Sequence, residues 1–243
     1  MSLPSQGALD QYVREFSVVM MPFVYDDYEH CWRVLDGPFM DWVAPKLEAQ
    51  NLVFLSNWEW GFRNVTNNVR PVMTPADMKG LKMRTPPELQ LQAAMEACGA
   101  VVTKIAFPEL YNALKQGVVD GQENPLAVIY HFKIYEVQKN LALTRHVYNS
   151  MVHVMSKKTY ETLTPEQQKI IKEESKRAGQ WFRDRMQEEE GELIQKLKDK
   201  GMNVTQPDVA KFREAMQPAY DRIADYAGRE NVAKFLKMVD AAR

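Results

Sequence analysis

The sequence predicts an α/β protein of two lobes, with mixed or parallel sheets and one long helix spanning both. Three observations predict it. Short apolar or β-branched runs alternate with helical segments through the middle of the chain, which is the pattern of a parallel sheet with helices on its faces. The links between them are short and marked by glycine and proline. A helical pattern from Thr164 to Lys200 would be roughly 50 Å long at about 1.5 Å per residue, more than one small domain needs. The 243 residues suffice for one large domain or two modest ones.

Taken in order, Phe16 to Phe23 is an apolar run closed by proline and reads as a buried strand. Asp26 to Leu35 and Phe39 to Ala49 read as helices, separated by Asp36-Gly37-Pro38. Leu52 to Leu55 is a short apolar strand. Thr74-Pro75-Ala76-Asp77 has N-cap chemistry, a hydroxyl followed by proline at the first helical position. Leu81 to Arg84 reads as a strand stopped by Pro86-Pro87. Glu88 to Ala97 is rich in helix formers, with Gly99 suited to the C-terminal cap. Val101 to Ile105 is a β-branched strand, Pro108 to Gln116 a helix, and Val118-Val119 the start of another strand. Leu141 to Thr144 and Val152 to Met155 read as two further strands.

Thr164-Pro165-Glu166-Gln167 is a capping box opening the long helix. Its apolar stripe is Ile170, Ile171, Ala178, Trp181, Phe182, Met186, Leu193 and Leu197, with Gly191 a weak point. Met202 to Gln206 is a last strand, and helix follows from Pro207.

Composition excludes several function classes. The chain carries 31 basic and 32 acidic residues, a net charge of −1, which offers no basic surface for nucleic acid. No apolar run approaches the about 18 residues of a membrane span. Cys31 and Cys98 form no CxxC motif and read as buried free thiols. The four histidines lack metal-ligand spacing, and no nucleotide, nucleophile-elbow or zinc-protease motif is present. No cofactor and no metal are expected.

The chemistry concentrates between Gly61 and Pro125. Arg84 ends a parallel strand, where open α/β sheets bind ligands, and a guanidinium is a planar fork matched to a carboxylate. An enzyme acting on a small carboxylate is the alternative, with Asp120 and Glu123 as acid–base groups; against it, Asp-Gly and Glu-Asn-Pro are ordinary turn chemistry. Tyr130, His131, Phe132 and Tyr135 form an aromatic cluster at near-helical spacing, read as core rather than as a docking surface.

Gly61-Phe-Arg63, then Asp77-Met-Lys-Gly-Leu-Lys-Met-Arg84, then Phe107-Pro-Glu-Leu-Tyr-Asn-Ala-Leu114, then Gly117-Val-Val-Asp-Gly-Gln-Glu-Asn-Pro125 occur in that order. Together with Tyr135 to Lys139 and Leu143 to Tyr148, they resemble the substrate-binding subunit of tripartite ATP-independent periplasmic (TRAP) transporters, from about Val18 onward. The resemblance implies a periplasmic-binding-protein fold and a periplasmic receptor, not an enzyme. Its ligand is a sugar acid, dicarboxylate or keto acid, passed to a membrane permease. It puts the salt bridge to the ligand carboxylate on Arg84, with Arg63 and Asn124 as companions and Phe107 as an aromatic contact. Trp58 and Trp60 fall near the hinge, where a tryptophan can stack on a sugar ring. His146 is read as lining the cleft, with a structural role as the alternative.

The resemblance also divides the chain. Residues 1–61 and 150–190 form the first lobe; residues 62–149 and 191–243 form the second, which carries the carboxylate motifs. Members of that family have a further βαβ region ahead of the motif at Val18 to Phe23. The first lobe is therefore expected to be incomplete and N-terminally truncated, with weakened ligand binding. Unpaired sheet edges would then favour a homo-oligomer or strand-exchanged dimer.

Overall fold

A computed structural model describes residues 1–243. Six strands form one mixed sheet: β1 (Leu52–Asn67), β2 (Lys82–Thr85), β3 (Val101–Lys104), β4 (Gly121–Pro125), β5 (Asn140–Ser156) and β6 (Asn203–Thr205), in the order β3-β2-β4-β1-β5-β6. Strands β2, β3 and β4 pair in parallel, as the alternating pattern predicts, and β6 runs parallel to β5. Strand β1 is antiparallel to both β4 and β5. The helices are α1 (Tyr28–Leu35), α2 (Pro38–Ala49), α3 (Leu89–Ala97), α4 (Leu110–Lys115), α5 (Leu126–His131), α6 (Lys157–Tyr160), α7 (Pro165–Asp199), α8 (Val209–Glu214), α9 (Gln217–Ala227) and α10 (Arg229–Ala241).

Several expectations change. Phe16 to Phe23 is not a strand. A 3₁₀ helix covers Arg14–Val18, and Phe23 takes a left-handed φ of 56° that a strand would not allow. The run stays apolar because it is packed from all sides, with Phe16, Val18 and Met20 fully buried. Strand β4 starts at Gly121, three residues later than Val118. The two short strands read at Leu141 and Val152 are parts of the single 17-residue β5, just as Leu52 to Leu55 is only the start of the 16-residue β1. These two strands pair along their whole length, with register shifts at Phe54/Ser56, Glu59/Gly61 and Arg63/Val65.

Helix α7 has 35 residues, opens on the predicted capping box and passes through Gly191 unbroken. Its inward face is the predicted apolar stripe only toward the C-terminal end, where Leu193 and Leu197 are buried in the core. Ser175, Gly179 and Arg183 are buried, while Ile170 and Trp181 stand exposed. The helix lies so close to β1 that a Cβ on Gly179 would come within 2.7 Å of the Asn57 carbonyl oxygen. Only small or hydrogen-bonded side chains fit that contact.

The core divides into clusters. The largest holds Phe16, Val18, Phe39, Leu47, Tyr148, Val152, Phe235 and neighbours. A second surrounds Met78, Met83, Met95 and Phe212, and a third surrounds Leu114, Ile129, Leu141 and Leu197. Helix α10 packs on α1 and α2 in the largest cluster. Cys31 and Cys98 are buried free thiols, as expected.

Candidate functional site

Where β1, β2 and β4 lie side by side, the sheet gathers Arg63, Arg84 and Asn124. Arg84 on β2 stands beside Gln122 on β4, and Asn64, next to Arg63, faces Asn124. Gly121 makes this spacing possible, since a Cβ there would fall 2.2 Å from the Thr66 carbonyl oxygen. The Asp-Gly pair is therefore a packing requirement as well as a turn signal.

Arg63 is committed. Its Nε donates to Glu123 Oε2 at 2.5 Å, and its Nη2 donates to Glu123 Oε1 at 2.9 Å, a bidentate pair. Nη2 also reaches Asn124 Oδ1 at 3.1 Å, and Nη1 reaches Asn149 Oδ1 at 3.1 Å. Asn124 in turn donates to Gln122 Oε1 at 2.5 Å. Glu123 is wholly buried, and burial alone would raise its carboxyl pKa. Arg63 and a hydrogen bond from His146 outweigh that and hold it below the usual carboxylate range. The Glu-Asn-Pro sequence is thus strand rather than turn, and its glutamate anchors an arginine.

Arg84 differs. It is 1 % exposed, and its Nε donates to the Ile105 carbonyl oxygen at 2.8 Å. Its Nη2 is buried with no hydrogen-bond partner. Burial lowers its pKa to about 10, with Arg63 pushing the same way and Glu123 and Glu88 opposing. It is still protonated at neutral pH. An unsatisfied guanidinium nitrogen in a desolvated position is a strong request for an anion.

His146 belongs to this group. Register jumps from Arg63–Val147 to Val65–Ala142, so four residues of β5, Leu143 to His146, bulge out beside Asn64. The bulge places His146 Nε2 3.3 Å from Glu123 Oε2, with Nδ1 2.8 Å from Thr144 Oγ1. His146 thus contacts the same carboxylate oxygen that Arg63 holds.

Phe107 follows two residues after Ile105, the acceptor of Arg84, and Trp60 sits on β1 near Arg63. The Phe107 ring packs edge-on against Phe132 at 4.8 Å. Trp60 lines an apolar groove of about 690 Å³ between α5 and α7, with Phe132, Met151, Trp181 and Phe182. Phe132 is exposed there, while Tyr130 and Tyr135 pack against the third core cluster, so the aromatic cluster is core only in part. Trp58 packs on Phe182 of α7. Sequence reasoning missed Asn149, Ser5 and Glu88. Asn149 Nδ2 donates to Ser5 Oγ at 3.0 Å, and Ser5 Oγ donates to Glu88 Oε2 at 3.1 Å. These residues are scattered along the chain, and no local motif joins them.

The acid–base alternative loses both its carboxylates. Glu123 is held by Arg63, and Asp120 Oδ2 accepts from the Lys82 backbone N–H at 2.8 Å.

Comparison with known proteins identifies the family. Residues 1–226 match the family model described as bacterial extracellular solute-binding protein, family 7. The sialic acid-binding periplasmic protein SiaP of Vibrio cholerae is 36% identical over 233 residues, 96% of this chain and 72% of that protein. The 2,3-diketo-L-gulonate-binding periplasmic protein YiaO of Escherichia coli is 36% identical over 197 residues, 81% of this chain and 60% of that protein. Among solved structures, a TRAP periplasmic solute binding protein from Polaromonas bound to D-erythronate superposes with a TM-score of 0.91 at 37% identity, covering 96% of this chain and 78% of that one. The sugar acid binding protein DctPAm from Advenella mimigardefordensis, in complex with galactonate, reaches 0.94 at 30% identity, covering 99% and 79%. These relatives are binding proteins rather than enzymes. The fold, the motifs that build the arginine pair and the match over most of the chain lead to one conclusion: this chain belongs to the bacterial extracellular solute-binding proteins of family 7.

Proposed function

We propose that the chain is an extracytoplasmic solute receptor that binds a small organic carboxylate and delivers it to a TRAP membrane permease. Arg84 is the anchor, with Arg63 and Asn124 beside it and His146 bracing the pair from behind. The observation that carries this reading is the buried, unpartnered Nη2 of Arg84. A ligand carboxylate satisfies it and neutralises a charge that the protein's own acids reach only at a distance. Relatives named for sialic acid, diketogulonate, erythronate and galactonate bind ligands of that class. Periplasmic location follows the same relatives.

Phe107 and Trp60 complete the proposed set as aromatic contacts to the rest of the ligand. The two-lobe division, 1–61 with 150–190 against 62–149 with 191–243, belongs to the proposal with one change: α10 packs on α1 and α2, so residues 229–241 go with the first lobe, and closure is by bending of β1 and β5. Self-association through the free edge at β3, where Val101 is exposed, also belongs to it, and light scattering of the purified chain reads it directly.

The test is calorimetric titration with D-erythronate and D-galactonate. Arg84→Lys keeps the charge and loses the fork, and weakens binding by about tenfold or more. Arg84→Met abolishes binding without lowering the melting temperature. No response to either acid, or an unchanged response in both variants, sinks the reading.

A further inference from the structure

The polar wall continues beyond the arginine pair. From Arg63 it runs through Asn149 and Ser5 to Glu88, each joined to the next by one hydrogen bond of 3.0–3.1 Å. Glu88 is the N-cap residue of α3 and has extended backbone, yet its side chain accepts nothing from the helix N-terminus. An acid at that position would ordinarily cap the helix and favour its dipole. Here the carboxylate turns away. It lies against Ser5 and Gly7, so close that a Cβ on Gly7 would fall 2.4 Å from Oε2. Ser5 is the one hydrogen-bond donor to this carboxylate, through Oε2, which leaves Oε1 free to accept.

Arg63 is matched by Glu123. Arg84 is the cation left for a ligand, and Glu88 is a further acid within electrostatic reach of both arginines. Burial raises the Glu88 carboxyl above its ordinary range, Arg63 lowers it, and Glu123 and Asp10 push it up again. A ligand carboxylate therefore pairs with Arg84, the guanidinium with an unmet nitrogen, and a second carboxylate near Glu88 meets a like charge. A hydroxyl arriving at Glu88 finds an acceptor; a carboxylate finds a like charge.

We propose that Glu88 is a specificity-determining residue of this site, selecting a polyhydroxylated monocarboxylate and rejecting a dicarboxylate. The proposal rests on the reading of Arg84 as the carboxylate anchor. D-erythronate is a four-carbon acid with hydroxyls along its chain; succinate is a four-carbon acid with a second carboxylate at the far end. The pair separates the two chemistries at nearly constant size.

The experiment titrates the full chain and its Glu88→Gln variant with each acid by calorimetry at neutral pH. The wild type binds D-erythronate about tenfold or more tightly than succinate, a difference of roughly 1.4 kcal/mol. In Glu88→Gln the like charge is gone, and the two affinities come within about threefold of each other. A melting curve checks that the variant is folded, and Glu88→Ala serves if it is not. A wild type that prefers succinate overturns the proposal, and so does a variant that shifts both acids equally; in either case Arg84 keeps its role. If neither acid binds the wild type, the anchor reading and the Glu88 proposal fall together.

Discussion

Arg63 and Arg84 are both nearly inaccessible arginines, yet their surroundings give them opposite energetic characters. Arg63 closes a bidentate pair with a fully buried glutamate and has further oxygen acceptors. Removing it leaves Glu123 charged, buried and unpaired, so Arg63→Ala is expected to destabilise the fold by about 3–5 kcal/mol in chemical denaturation. Arg84 is desolvated with one nitrogen unmet, so it burdens the free protein; under the proposed receptor function a bound carboxylate relieves that burden, a frequent trade between stability and function. The sequence made Arg84 legible because it ends a parallel strand before two prolines. It hid the function of Glu123, because Glu-Asn-Pro satisfies turn rules equally well. Asn149, Ser5 and Glu88 were illegible for a different reason. Their proximity depends on the N-terminal segment crossing β5, through bridges such as Ser5 to Met151, and no local pattern encodes that.

Among the elements, the parallel unit from β2 to β4 was readable from alternation and turn residues, since each piece is short and bounded by glycine or proline. The long strands β1 and β5 were not. Asn57, Glu59, Asn64 and Asn149 are polar yet buried within them, so the expected apolar pattern breaks and each strand reads as a fragment. Helix α7 had legible ends and a half-legible face. Leu193 and Leu197 are buried as their hydrophobicity predicts; around Gly179 burial follows closeness to β1 instead, which that glycine permits. Gly179→Ala tests the point. On an exposed face the change would stabilise a helix by about 1 kcal/mol. Here the new methyl meets a backbone oxygen, and a loss of about 1–3 kcal/mol is expected from denaturant titration.

Across the whole molecule, stability should carry an acid of unusual sign. Glu59 is completely buried on β1, and burial raises its pKa from 4.5 to about 7 against the pull of Trp32, Arg183 and Tyr148. Its folded pKa thus exceeds its unfolded one, and the folded state holds the proton more tightly between those values. Stability falls as pH rises from about 4.5 to about 7, by an amount on the order of 3 kcal/mol from this group. Glu59→Gln should flatten that slope, read as the difference between wild-type and variant melting curves across the window; parallel curves would show that Glu59 is ionised throughout.

The paired strands β1 and β5 supply side chains to every core cluster: Phe62, Tyr148 and Val152 to the largest, Val65 and Ala142 to the second, Leu141 to the third and Val53, Leu55 and Met155 to a small fourth. No cluster can melt without stripping part of the same ladder, so the lobes do not denature independently. The ribbon works as a keel. Heat should take the molecule apart in one cooperative step, and the last amides to exchange with solvent should be those where β1 meets β5, rather than those in the heart of either lobe.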